Sequence, residues 1–333
     1  MLIKDAELRE LFKAECEEHL LELDHGLLRL EKNPGGHAAS LPGQIGAGVV
    51  MKGPALSIAM VTRNRPDSLN RSLESVRAQS VQPAEIIVSD DVYVALTREV
   101  ALKWKCRHVR GPRRGLYANR NQAALHCTSS HIRTMDDDHR LPAGHLEGCL
   151  AAVEEDPEAF WSTGEDGMVN GVYAGSAFTA SELGRGGVGY IPRNPNDTWA
   201  YADGSTLYPR SVVDRGLRMV EEFGYGSWYL EYGAYLYAHG YRGRCIQGTR
   251  VEHWGEARMS MGVDLLEKDL QSRLYASVVF SLYFKPSLFQ SIAQLKFWLG
   301  EAGLRRLNEV RPKVEKRWGP LKRSARMRGN GGV

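Results

Sequence analysis

His131-Ile132-Arg133-Thr134-Met135-Asp136-Asp137-Asp138-His139 runs from strand-like residues into three consecutive carboxylates, and Leu141-Pro142 closes the segment. Carboxylates massed at the carboxyl end of a buried strand repel one another and lose hydration. That arrangement is unfavourable unless a cation or hydrogen-bond donors neutralise it. The run is therefore a candidate divalent-metal site. The bland alternative is an acidic turn in solvent.

Upstream, the pattern alternates strand and helix. Leu56-Ser57-Ile58-Ala59-Met60-Val61-Thr62 reads as a buried strand ended by Arg63-Asn64-Arg65-Pro66. Pro66 suits a first helical turn, and Leu69, Leu73 and Val76 then fall on one face of a helix from Asp67 to Gln79. Glu85-Ile86-Ile87-Val88-Ser89 is a second strand leading into Asp90-Asp91. This alternation predicts an α/β fold with a mostly parallel sheet and flanking helices. Ligands of such sheets bind beyond the carboxyl ends of the strands, so Thr62, Arg63, Asp90, Asp91 and Asp136 to Asp138 should converge on one crevice.

The 333 residues carry a net charge of only +3, and the charged and apolar fractions, 25% and 43%, are those of an ordinary globular protein. Five separated cysteines with no CxxC pair argue against a disulfide framework or a structural zinc site and for reduced, cytosolic thiols. No basic start followed by an apolar run opens the chain, and no stretch reaches the roughly 20 apolar residues of a membrane span. A cytoplasmic protein is expected, with peripheral contact at the inner membrane face as a variant of that expectation.

Four segments are expected. Residues 1–36 hold an amphipathic helix, Asp5 to Lys32, stopped by Asn33-Pro34-Gly35-Gly36; 37–54 is a Gly/Ala/Ser-rich linker; 55–264 is the α/β domain; and 265–333 is helical with a basic end. Ala14-Glu15-Cys16-Glu17-Glu18-His19-Leu20 resembles the opening helix of a histidine phosphotransfer domain of the chemotaxis-kinase kind. Neither His19 nor His25 is followed by Lys-Gly at the phospho-accepting spacing, so phosphotransfer is not inferred. From Glu301 to Val333 ten Lys or Arg face three Glu. A solvated, partly disordered end is the favoured reading of that tail, with attraction to anionic lipid as the alternative and no nucleic-acid motif in view. Leu288, Ile292, Leu295 and Leu299 form an apolar helical stripe for packing, for a second subunit or for a membrane surface.

Taken together, Ser57 to Asp91, Gly115-Leu116-Tyr117-Ala118-Asn119-Arg120-Asn121-Gln122-Ala123-Ala124-Leu125 and Thr134 to Pro142 resemble the nucleotide-sugar half of family 2 glycosyltransferases with the GT-A fold. The order strand-T-x-N-R, strand-D-D, a-R-N-x-a-l and D-x-D-D-x-x-x-P is the specific feature. The likeness continues more loosely through Ser205 to Arg210, Trp228 to Arg242 and Val251-Glu252-His253, to about residue 285. It implies a Rossmann-like GT-A domain with helical additions at both ends, and transfer of a sugar from a nucleotide diphosphate sugar, UDP-sugar first, to a saccharide, lipid-linked or protein acceptor.

The resemblance also implies roles. Asp137 aligns with the carboxylate that touches the metal, and His253 with a histidine that completes its ligands in a number of GT-A enzymes. Manganese or magnesium is the implied ion. A histidine at the core edge is the plainer reading of His253. Met135 stands where the commonest pattern has the first Asp of D-x-D. Asp136 and Asp138 flank the metal residue, one for the sugar or ribose, the other to hold the loop. Asp91 would accept from the base, Thr62 and Arg63 would lie beneath base and ribose, and Arg120 would face the diphosphate. Counting back from Gly240-Tyr241, Tyr229 stands in the place of the usual general base and Glu231 in that of the second acid. Glu231 is therefore the expected base, with Glu221 and Glu222 behind it. Trp228, Tyr229 and the other aromatic residues between Phe160 and Tyr229 are candidate donor or acceptor contacts, and Gly184 to Gly189 reads as a mobile loop. A degenerate domain acting as a scaffold is the rival, because Tyr229 is no base.

Overall fold

The computed structural model describes residues 53–330 apart from 170–171, 223–227, 255–262 and 302. The expected amino-terminal helix and most of the linker lie outside the described residues.

Strand β1 (Leu56–Thr62) is buried along its whole length, as a strand covered on both faces must be. Its side chains alternate. Ile58 and Met60 pack with Leu69, Leu73 and Val76 of helix α1 (Pro66–Arg77) in one core, whereas Ala59 and Val61 join Tyr117 in the other. Parallel neighbours β2 (Glu85–Asp90) and β4 (His131–Asp136) flank β1, and β3 (Arg107–Arg110) extends the sheet beyond β2. Helices α2 (Ala95–Lys103) and α3 (Leu116–Leu125) link these strands. Thr62 is in register with Asp90, and Val61 with Asp136, so three strand ends open on one edge.

Past β4 the sheet mixes directions. A two-residue strand β5 (His139–Arg140) follows the carboxylates, and α4 (His145–Glu155) leads to β6 (Phe160–Val169), which pairs with β7 (Val172–Phe178). A small ribbon, β8 (Glu182–Leu183) with β9 (Gly189–Tyr190), precedes β10 (Thr206–Pro209), which runs antiparallel between β4 and β6. The last strand, β11 (Gly243–His253), lies parallel to β6 and antiparallel to β5. Among the described residues the main sheet has the order β3-β2-β1-β4-β10-β6-β11-β5, with most strands running one way.

After the short α5 (Ser211–Asp214) and α6 (Trp228–Ala238), the chain ends in α7 (Val263–Val279), α8 (Leu288–Lys296) and α9 (Leu304–Asn330), with π-helical turns at Phe280–Phe284 and Phe297–Glu301. Val310, Val314 and Trp318 of α9 are buried in the core that holds Tyr117 and Tyr232. The solvated, disordered tail expected from the charge run is thus corrected at least as far as Lys322, because three apolar residues at i, i+4 and i+8 anchor the helix. On α8, Leu295 packs on the core while Phe289 and Ile292 face solvent. Among the described residues no helix is long and apolar enough to cross a membrane.

The mobile loop expected at Gly184 to Gly189 is also corrected. Gly186 and Gly187 are buried against α7, where Arg273 Nε donates to Gly186 O at 3.1 Å. Gly187 holds φ +73 with its Cα facing the Arg273 carbonyl too closely for any Cβ. Of the expected aromatic platform, Phe160, Trp161 and Tyr201 are buried: Phe160 and Tyr201, 6.3 Å apart, share the core with α6, and Trp161 fills the core on the other face of the sheet.

Candidate functional site

The strand ends of β1, β2 and β4 open into a cavity of about 720 Å³, a size suited to a nucleotide-sized ligand. Thr62, Arg63, Asp91, Asp136, Asp138 and His253 line it, as the sequence led one to expect, together with Arg65, Arg113, Glu165, Asp203, Glu222 and His139.

The three consecutive aspartates part company. Strand β4 ends at Asp136, and Asp137 and Asp138 form the turn into β5; Asp136 and Asp138 line the cavity, whereas Asp137 does not. Asp137 is fully buried. It accepts from Thr62 Oγ1 at 2.6 Å and from Arg65 Nε at 3.1 Å, and it pairs with the Arg65 guanidinium. Burial pushes its carboxyl up to about 7 despite Arg65. Asp137 therefore locks β1 to the loop, and the expectation that it touches a metal is corrected by this orientation. Ser72 of α1 donates to Asp137 O at 2.7 Å and holds the same turn from below.

The metal-capable group is instead Asp138, His139 and His253, whose ligand atoms lie within 4.8 Å of one another. Backbone pairing produces this, since His139 of β5 is in register with His253 of β11. Their rings meet edge-on with centroids 4.9 Å apart. Asp138 Oδ2 accepts from Arg65 Nη1 at 2.9 Å, while its buried Oδ1 and both ring nitrogens of His139 have no hydrogen-bond partner. Orphaned oxygen and nitrogen ligands around one point fit a divalent cation. His139 is almost fully buried.

His253 lies between two carboxylates, Nε2 3.7 Å from Asp138 Oδ1 and Nδ1 3.3 Å from Glu165 Oε2. Burial alone would lower its pKa, but Asp138 and Glu165 raise it to about 10. Burial would raise both carboxyls, yet His139 and His253 hold Glu165 at about 2 and Asp138 far below the usual range. Glu165 also accepts from Ser205 Oγ at 2.8 Å.

Arg120 lies under the cavity floor. Its Nη2 is 2.9 Å from Asp136 Oδ2 and 3.2 Å from Asp203 Oδ1. Burial, supported by Asp136, pushes Asp203 up to about 7 although Arg120 pulls it down. Arg120 is not among the lining residues, so its expected diphosphate contact is corrected: it braces Asp136. Gly204 makes the close approach possible, because at φ +75 a Cβ would stand 2.7 Å from Asp136 Oδ2 and 2.8 Å from His139 Cε1.

On the other wall, Asp91 Oδ1 accepts from the backbone N–H of Arg113 at 2.7 Å. Asp90 is fully buried and accepts from the N–H groups of Val92 and Val94 at 3.1 and 3.0 Å. It caps that turn, which corrects its assignment to the nucleotide.

Glu231 is elsewhere. Fully buried on α6, it accepts from Arg317 Nε at 2.7 Å, Arg317 Nη2 at 3.2 Å and Trp318 Nε1 at 2.7 Å. A carboxylate with both oxygens engaged and no path to the cavity cannot take a proton from an acceptor there, so the expected base is corrected. Tyr229 is half-buried against the same core, and the side chain of Trp228 lies outside the described residues.

Sequence reasoning missed Arg65, Glu165, Asp203 and the place of His139 beside Asp138 and His253. No local pattern foretells the β5–β11 pairing.

Residues 57–215 match the model of the family described as Glycosyl transferase family 2. No curated protein matches the sequence. Among solved structures, S. aureus TarS residues 1–349 in complex with UDP is similar at TM-score 0.53 and 13% identity, covering 74% of this chain and 73% of that one. The UDP-GlcNAc complex of the same protein gives 0.52 and 14%, covering 82% and 92%. GalNAc-T7 with UDP, GalNAc and Mn2+ gives 0.55 and 15% over 80% of this chain and 58% of its own. At such identities these structures establish the shared fold.

Proposed function

We propose, from the premise that this chain is a glycosyltransferase whose residues 57–215 form a family 2 domain, that it moves a sugar from a UDP-sugar to an acceptor hydroxyl with a manganese or magnesium ion at Asp138 and His253. The observation that carries the reading is the Asp138–His139–His253 cluster with orphaned ligand atoms on the wall of the cavity that Asp91 also lines. A divalent cation bound there offsets the charge of a leaving diphosphate. Asp91 is placed to accept from a base N–H, and Arg63, Arg65 and Arg113 supply positive charge to the same cavity.

The reaction is read as a single inverting displacement. The acceptor oxygen bonds to the anomeric carbon as the bond to the diphosphate oxygen breaks, and the electron pair leaves with UDP. The hydroxyl proton needs a carboxylate. Asp138 and Glu165 flank His253, Asp136 and Asp203 sit on Arg120, and Glu221 pairs with Arg114 at 2.7 Å. Glu222, exposed on a wall shared with a neighbouring cleft, is therefore assigned the base.

UDP release from a panel of UDP-sugars tests the reading, with chelator and with manganese or magnesium restored. Release that requires the ion and is lost in Asp138→Asn supports it. Release that persists at full rate in chelator defeats it.

A further inference from the structure

We propose that the cleft beside the donor cavity is the acceptor subsite and that it takes a saccharide carrying a phosphate, an assignment that rests on the UDP-sugar transferase reading. The cleft has a volume of about 880 Å³ and lies among the 218–222 segment, α6 and α9. Arg114 and Glu222 line both it and the donor cavity, so a ligand seated in the cleft lies next to the site of transfer.

Its charge is one-sided. Five cationic side chains, Arg114, Arg218, Lys313, Lys316 and Arg317, face two carboxylates, Glu221 and Glu222. Arg114 is matched by Glu221 at 2.7 Å and Arg317 by Glu231 at 2.7 Å. Arg218 Nη1 donates to neutral carbonyls, Val213 O at 2.9 Å and Leu217 O at 3.3 Å, so its charge is not cancelled. Lys316 of α9 adds an ammonium group from a separate segment, with Lys313 one turn before it on the same wall. A solvated helix face would scatter such charges outward. Here guanidinium and ammonium groups from two parts of the chain meet in one concavity, which matches a phosphate dianion.

The rest of the lining suits a sugar. The Tyr235 ring is covered by the Arg317 guanidinium at 3.6 Å and packs against His239 at 4.2 Å, which holds that imidazole in the cleft wall. His239 Nδ1 lies 2.8 Å from Tyr235 O, and burial holds its pKa below the usual value, so the neutral ring keeps a nitrogen lone pair for a hydroxyl. The basic carboxyl-terminal helix thereby acquires a role in recognition.

The test uses the full chain with saturating UDP and magnesium, so that the donor site is filled, and titrates glucose 6-phosphate, glucose and inorganic phosphate by calorimetry or NMR. Glucose 6-phosphate should bind about tenfold or more tightly than glucose, ~1.4 kcal/mol, and salt should weaken the preference. The Lys313→Glu/Lys316→Glu variant should lose the preference, and Lys316→Glu alone should reduce it, with the dissociation constant for UDP unchanged in both. Equal binding of the two sugars, or a preference that survives the double variant, would overturn the assignment. Inorganic phosphate binding as tightly as glucose 6-phosphate would overturn its saccharide part. UDP affinity is measured first. Its absence in the wild type would overturn the transferase reading itself, and a failure confined to the phosphate probes overturns the subsite alone.

Discussion

Replacing Glu231 by Gln separates a structural carboxylate from a catalytic one. In the native chain Glu231 accepts three hydrogen bonds, from Arg317 Nε at 2.7 Å, Arg317 Nη2 at 3.2 Å and Trp318 Nε1 at 2.7 Å. Gln keeps one oxygen for Trp318 and Arg317 Nε, but it loses the charge and sets an amide N–H2 against Arg317 Nη2. Breaking a fully buried pair costs about 3–5 kcal/mol. Arg317 retains 17% side-chain exposure and still donates to Arg218 O at 2.9 Å, so about 2 kcal/mol is the expected loss, roughly one to two charge-assisted hydrogen bonds. At about 2–4 °C per kcal/mol for a large domain, the midpoint should fall by about 4–8 °C. Calorimetry reads that shift, and initial rates of UDP release taken well below the midpoint read catalysis. The turnover of folded enzyme should stay within about twofold, since no general base has been removed. Adding Arg317→Met should restore part of the stability, because the uncompensated charge goes with it. A fall in kcat of about a hundredfold or more at an unchanged midpoint would refute the reasoning and return Glu231 to the base.

Three further outcomes follow from the same geometry. Asp137→Asn should lower the melting point while leaving manganese affinity within a few-fold, and Asp138→Asn should abolish manganese binding; calorimetric titration that gave both variants the same manganese affinity would be a contradiction. Gly187→Ala should destabilise by about 1–2 kcal/mol for its left-handed φ and more for the close approach of Arg273 O, so an unchanged midpoint would mean that the glycine turn does not sit on α7. His145 lies between Thr249 Oγ1 at 2.9 Å and Arg133 Nη2 at 3.0 Å, and burial, with Arg133, lowers its pKa to about 2. Because the unfolded chain takes up that proton and the folded chain does not, the contribution is intact above about pH 6.5 and is lost as the pH falls, by ~1.4 kcal/mol per unit. Urea unfolding between pH 7 and 5.5 should show a shallower slope for His145→Asn; equal slopes would contradict the buried, neutral imidazole.

The parallel half of the sheet was legible because it is built from local signals. An unbroken apolar β1, Pro66 before the Leu69-Leu73-Val76 face of α1, and acidic residues just after β2 each announce themselves within about ten residues. Thr62, Arg63, Asp91, Asp136, Asp138 and His253 were brought together for the same reason: strand ends of one sheet share an edge. What stayed hidden depends on contacts between distant segments. His139 becomes a ligand candidate only because β5 pairs with β11, more than a hundred residues later. Glu231 looked catalytic by spacing, and only the return of α9, carrying Arg317 and Trp318, occupies it. The tail looked like a solvated charge run because its ten basic residues mask the Val310-Val314-Trp318 stripe. Asp137 was misassigned because its direction is set in the turn after β4 by Thr62 and Arg65, which lie more than seventy residues earlier.

The central claim is a divalent-cation site at Asp138 and His253 that serves a bound uridine diphosphate. Electron paramagnetic resonance of manganese in the presence of UDP tests it directly on wild type, Asp138→Asn and His253→Ala. The account expects a protein-bound manganese signal, strengthened by UDP, that disappears in both variants while each remains folded. A bound signal that survives both substitutions, or manganese affinity that UDP leaves unchanged in the wild type, would contradict it.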